Sequence, residues 1–229
     1  MNRDAKTQSA LVALARTRRM QRALAHAYVH RDAPMPTLRQ SLGFMTSTAR
    51  VAGDAGALGH RMSILGVARA ERVAYVVEEL APGEPPIAYR MWMSGARAGH
   101  LVPIHAWYEH GASDAEVRAR IAAIATTLEP VARTTTEAWM LSTRVVQRRA
   151  LRTADGGPPI RKFALQLRVE PTSGVGANGH TTVTAFLSPD ATLVEVSALP
   201  DTGAIARVSY TGIPSGLGLS KDTVILLTE

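Results

Sequence analysis

From Lys162 to Val169 the chain alternates: Phe163, Leu165, Leu167 and Val169 fall on one side of an extended strand, Lys162, Gln166 and Arg168 on the other. A helix over the same residues would scatter the apolar set around its circumference, so the pattern requires a strand. The turn Asp155-Gly-Gly-Pro-Pro159 introduces it, and apolar runs follow near 181–187, 192–199, 204–211 and 223–228, separated by turn residues. That succession predicts an antiparallel meander. The last run, Val224 to Leu227, is apolar on both faces and predicts a central strand of the chain's own sheet.

Upstream the pattern is mixed. Ile87, Tyr89, Met91 and Met93 alternate with Ala88, Arg90 and Trp92, and after a Gly-containing connection Leu101 to Tyr108 supplies the second arm of a hairpin. Ser113 and Glu116 then form a capping box, Val117, Ile121, Ile124 and Leu128 give a buried stripe, and Pro130 ends the helix. Strands are expected at 132–141 and 144–152. Residues 64–80 place Ile64, Leu65, Ala68, Arg72, Tyr75 and Val76 at helical spacing; although Val73 to Val77 is rich in β-formers, a helix is expected there.

Between Ala5 and Arg31 there is no Gly, Pro or acid, and Pro34 and Pro36 close the segment, which predicts a long helix. Thr37 caps a shorter helix reaching about Ala49, and Gly53, Gly56 and Gly59 mark a linker. The expected architecture is α+β: a basic, mainly helical N-terminal segment over 1–81, then a mixed α/β body over 82–229 whose sheet is mostly antiparallel and ends in a C-terminal β-meander.

Charge is unevenly distributed along this plan. Residues 1–70 hold eleven Lys or Arg against three acids, net +8, whereas 71–229 hold fifteen against sixteen, net −1. On the long N-terminal helix Arg16, Arg18, Arg19, Arg22, His26 and His30 share one face, and Arg18, Arg22, His26 and His30 form an i, i+4 ladder. Like charges at that spacing repel by a few tenths of a kcal/mol per pair, and an anionic partner reverses the sign. These six residues are the candidate anion or nucleic-acid contacts. A docked amphipathic helix with a basic outer face is the competing reading.

Other chemistries find little support. The chain has no Cys, which removes thiolate metal sites and thiol nucleophiles, and His100, His105, Glu109 and His110 form its one cluster with hydrolytic potential. Their His-x-x-x-Glu-His spacing matches neither common zinc-hydrolase helix motif. Gly174, Gly176 and Gly179 fit the G-x-G-x-x-G pattern literally, but the β-branched run Thr181 to Thr184 follows where a helix N-terminus should meet a pyrophosphate, so they read as a hairpin loop. Trp92, Trp107, Trp139, Tyr89 and Tyr108 serve as a base-stacking platform only if they share an exposed face with Arg90 and Arg97.

The function expected from these features is that of a non-catalytic binding or assembly protein whose N-terminal basic helix engages nucleic acid or an acidic protein surface. A metal-assisted hydrolase built on the histidine cluster and a structural subunit of a large multi-protein particle are the alternatives. No cofactor is implied. Homo-oligomerisation is compatible with the first and third readings. The absence of any apolar run near 18 residues, and the brevity of Ser9 to Ala15, point to a cytoplasmic protein without a transmembrane segment or signal peptide.

Overall fold

The alternating segments pair as antiparallel ladders and collect into three sheets. The computed structural model of the chain describes residues 59–80, 84–108, 111–152, 159–200, 203–213 and 219–229. Its strands are β1 (Arg61–Ala68), β2 (Val73–Glu79), β3 (Ile87–Trp92), β4 (Leu101–Pro103), β5 (Ala132–Thr134), β6 (Trp139–Leu151), β7 (Ile160–Pro171), β8 (Gly179–Phe186), β9 (Ala191–Ala198), β10 (Ala204–Thr211) and β11 (Ser220–Leu227), with a helix α1 (Asp114–Ala125) between β4 and β5. The sheets run β1-β2-β3-β4, β11-β10-β9-β5 and β6-β7-β8.

Side-chain parity shows how the sheets stack. Along β10, Ala204, Ala206, Val208 and Tyr210 pack on one side with Ile225 and Leu227 of β11, against Phe163, Leu165, Leu167 and Val169 of β7 and Val183 and Ala185 of β8. Ile205 and Val224 project to the opposite side, onto Met62, Val67, Ala74, Val76 and Met91 of the first sheet. The β9–β11 sheet is therefore the middle layer of three. Each fully buried Leu, Ile or Val in these two interfaces contributes about 2 kcal/mol.

This overturns the α+β expectation. Strand accounts for 58% of the described residues and helical turns for 14%, with one α-helix, so the fold is mostly antiparallel β. The helices expected over 5–31 and 37–49 lie outside the described residues. Residues 64–80, expected to be helical, form β1 and β2, joined at Arg72 in the left-handed conformation. From Val73 to Glu78 every residue of β2 is buried. A strand covered on both faces loses the alternation that would have announced it.

Smaller corrections have local causes. The second hairpin arm stops at Pro103: Ile104 N still donates to the Ala88 carbonyl at 2.9 Å, but Ala88 N donates to the Tyr108 hydroxyl instead of closing the next pair, and a 3-10 turn over His105–Trp107 replaces the rest. The strands expected at 132–141 and 144–152 divide elsewhere: a 3-10 turn at Thr136–Ala138, capped by the Thr135 hydroxyl, separates β5 from a continuous β6. Val224 to Leu227 lies on the terminal strand of its sheet rather than a central one. Layers on both faces give it the same apolar signature.

The capping box of α1 is present. Glu116 N donates to Ser113 Oγ at 3.3 Å, and Ser113 N donates to Glu116 Oε2 at 2.7 Å. The Ser113 bonds hold the Glu116 carboxyl below its ordinary range. Of the expected stripe, Val117 is buried and Ile121, Ile124 and Leu128 are half-buried. On the solvent side Arg118 grips both Glu79 oxygens, at 3.0 and 2.9 Å, and Asp114 at 2.8 Å, tying the helix to the end of β2.

Candidate anion-binding face

The inward side of β7 belongs to the core, so its outward side and those of β6 and β8 form a solvent-facing sheet surface. Register sets the rows. Ser142 lies opposite Arg168, which lies opposite His180; Arg144 is opposite Gln166, which is opposite Thr182; Arg149 is opposite Lys162. Ser142, Arg144, Arg149, Arg168, His180 and Thr182 are exposed. This face carries four Arg or Lys side chains, and its one acid, Glu170, is bonded to Arg168 at 2.8 Å.

The charge belongs to the β6–β7 hairpin as a whole. Residues 139–171 contain seven Arg or Lys and two acids, net +5. Arg149 directly opposite Lys162 is a like-charge cross-strand pair, an arrangement that destabilises a sheet in isolation. A groove of about 460 Å³ crosses the surface between Ser142, Thr143, Arg144, Gln166, Arg168, Asn178 and His180. It adjoins a second of about 550 Å³, with which it shares Asn178 and His180 and which runs between the Ala98–His100 turn and the end of β11. The combined trough offers guanidinium, imidazole, amide and hydroxyl donors. No tryptophan or tyrosine lines it.

A second polar concentration lies between the first and middle sheets. Glu78, 3% exposed, accepts from the Tyr89 hydroxyl at 2.6 Å and pairs with His60 Nδ1 at 3.0 Å and Lys221 Nζ at 3.1 Å. Burial alone would raise its carboxyl; the bonds from His60 and Tyr89 and the nearby ammonium of Lys221 outweigh this and hold it at about 2. Beside it, buried Asp222 accepts from Met62 N at 3.1 Å and from Arg207 at 2.9 Å, and Arg207 continues to Glu195 at 3.1 Å. Each of these carboxylates is occupied by protein donors, so the network clamps two sheets together.

No protein-family model, curated protein or solved structure matches the chain.

The expected site residues are therefore placed by geometry alone. Arg16, Arg18, Arg19, Arg22, His26 and His30 lie outside the described residues, as do Glu109 and His110. His100 is exposed in the turn before β4 and borders the second groove; His105 opens the following 3-10 turn and is exposed too. Among the described residues no three His, Asp or Glu side chains are grouped to hold a metal ion.

The aromatic residues are spent elsewhere. Tyr89 is bonded to Glu78, and the Tyr108 hydroxyl donates to the Pro86 carbonyl while accepting from Ala88 N. Arg97 stacks over Trp92 at 5.9 Å and Arg90 over Tyr75 at 5.7 Å. The outward face of β6–β8 is not marked by any sequence motif, although Lys162, Gln166 and Arg168 fall on one side of their strand. A running charge count over 30-residue windows would have marked the hairpin.

Proposed function

We propose that the chain is a non-catalytic binding and assembly protein that engages an anionic partner, nucleic acid or an acidic protein surface, through the outward face of β6, β7 and β8. The observation that carries this reading is the seven-to-two excess of Lys and Arg over acids in residues 139–171, together with the exposure of Arg144, Arg149 and Arg168 on one sheet surface. An unliganded sheet gains nothing from Arg149 facing Lys162, whereas a polyanion laid over the pair turns that repulsion into attraction. In this reading the basic stretch Arg16, Arg18, Arg19, Arg22, His26 and His30 supplies a second cationic surface to the same partner.

The test is a salt titration. Binding of the full chain to a labelled 20-base-pair DNA duplex, followed between about 50 and 200 mM salt, should give a straight log–log plot, and Arg144→Gln with Arg168→Gln should lower its slope by about two. Poly-glutamate in place of DNA separates an acidic protein partner from a nucleic acid. Failure to bind either polyanion at low salt, or a double variant with the wild-type slope, overturns the reading.

A further inference from the structure

We infer that the partner is double-stranded DNA and that the end of the β6–β7 ribbon enters its major groove, an inference that rests on the anion binding proposed above. The decisive feature is that cations occupy both faces of the ribbon. Arg149 and Lys162 are cross-strand neighbours on the outward face. Arg148 lies opposite Phe163, and Arg161 opposite Ala150, so both arginines belong to the other face. Arg148, Arg149 and Arg161 are exposed, and Arg152 follows, exposed, at the end of β6. Among the described residues none of these five cations has an ion-pair partner.

A flat acidic surface, or one strand of nucleic acid laid along the sheet, meets one face of a ribbon. It would leave Arg148 and Arg161 unmatched. A duplex groove has a phosphate wall on each side and meets both faces together. The major groove, ~12 Å wide, admits a two-stranded β-ribbon. Two further features suit this geometry. The irregular register between Val145 and Gln147 marks a bulge where β6 bends, at the base of the cationic end. The trough along Arg144, Arg168 and His180 continues from that base and would receive the backbone flanking the groove. Because no tryptophan, tyrosine or phenylalanine lines the trough, the large stacking platforms that usually hold a single strand are missing there.

Fluorescence anisotropy on the full chain decides the matter, with three probes: a 20-base-pair DNA duplex, a 20-nucleotide single strand and poly-glutamate. The duplex should bind about tenfold more tightly than either alternative at the same salt, and Arg148→Gln and Arg149→Gln should each lower the duplex salt slope by about one. Both side chains are exposed, so neither variant should melt earlier than wild type, with Arg149→Gln slightly later because it relieves the repulsion from Lys162, and Arg148→Lys should restore the slope. Equal or tighter binding of the single strand or of poly-glutamate overturns groove entry but leaves anion binding standing. An unchanged slope for Arg148→Gln beside a reduced one for Arg149→Gln does the same, since it shows contact on one face. If none of the three probes binds, both readings fall.

Discussion

Glu78→Gln is expected to remove about 3 kcal/mol of unfolding free energy at neutral pH and to flatten the acid limb of the stability profile. The size follows from linkage: the carboxyl is lowered from 4.5 to about 2 in the fold, and every tenfold change in proton affinity corresponds to about 1.4 kcal/mol. The sign follows from the direction. A depressed carboxylate stabilises the fold fully above its unfolded value and loses that contribution as pH falls from about 4.5 towards 2. Glutamine keeps the shape but presents an NH2 group where His60, Tyr89 and Lys221 all supply donors, so a side chain 3% exposed is left badly matched. Denaturant midpoints measured from pH 2 to pH 7 for both proteins check this. Parallel curves of equal height would show that Glu78 is not the clamp between the two sheets.

The alkaline side has its own signature. Burial, then the Glu78 bond, pushes the Tyr89 hydroxyl far up, and burial raises Tyr210 to about 12. Both tyrosines stay neutral in the fold, so their stabilisation is complete below the unfolded value near pH 10; the Tyr210 part is lost as pH rises through about 12, and the Tyr89 part over a range that extends further up. Glu78→Gln should soften this limb as well, because the carboxylate's bond and negative charge reinforce burial in raising Tyr89.

How much of this was legible in the sequence varied with how each strand is covered. β7 has one face on the core and one in solvent, and its alternation from Phe163 to Val169 located it. β8, β9 and β10 were bounded within a few residues by the turn residues between them. β2 was misread because Val73 to Glu78 is buried on both sides, and an unbroken apolar run fits helix and strand equally well. The three-layer stacking left one local mark, the two-sided burial of Val224 to Leu227, and that mark suggested a central strand instead. Layer order depends on contacts between residues as distant as Met62 and Val224. No local pattern encodes them.

Charge was legible in total and misleading in place. Dividing the chain near residue 70 gave net +8 before the boundary and −1 after it, and that −1 conceals the +5 of residues 139–171 behind the acids of the remaining strands. Function depends on which charges share a surface, and strand parity determines that more than sequence distance does. Arg168 and His180 are twelve residues apart and cross-strand neighbours, whereas Arg148 and Arg149 are adjacent in sequence and face opposite ways.

Gly179→Ala is expected to cost about 3 kcal/mol and to weaken anion binding, a larger effect than one methyl group normally has. Gly174 and Gly176, the first two glycines of the apparent nucleotide motif, have positive φ of 74° and 120° in the turn from β7 to β8, which is an ordinary use of glycine in a tight hairpin. Gly179 serves a different purpose. A Cβ there would collide with the backbone carbonyl oxygen of Leu226 and come within 3.0 Å of Ile225 Cγ2, so β8 and β11 approach each other where no side chain fits. Backbone cannot swing aside as a long side chain does, and the strands must separate. Separation breaks the paired bonds between Asn178 and Thr228, at 3.0 and 3.1 Å, and loosens Val183 and Ala185 from Ile225 and Leu227. Asn178 and His180 flank this seam and line both grooves, so the same opening reshapes the trough. Gly174→Asn is the control: asparagine tolerates positive φ, and nothing lies within 4 Å of a Cβ at that position. Thermal melts and the duplex titration should therefore separate the two variants, with Gly174→Asn close to wild type in both and Gly179→Ala melting earlier and binding less tightly. A Gly179→Ala protein matching wild type in both would mean that β8 and β11 meet less closely than the bonds at Asn178 and Thr228 imply.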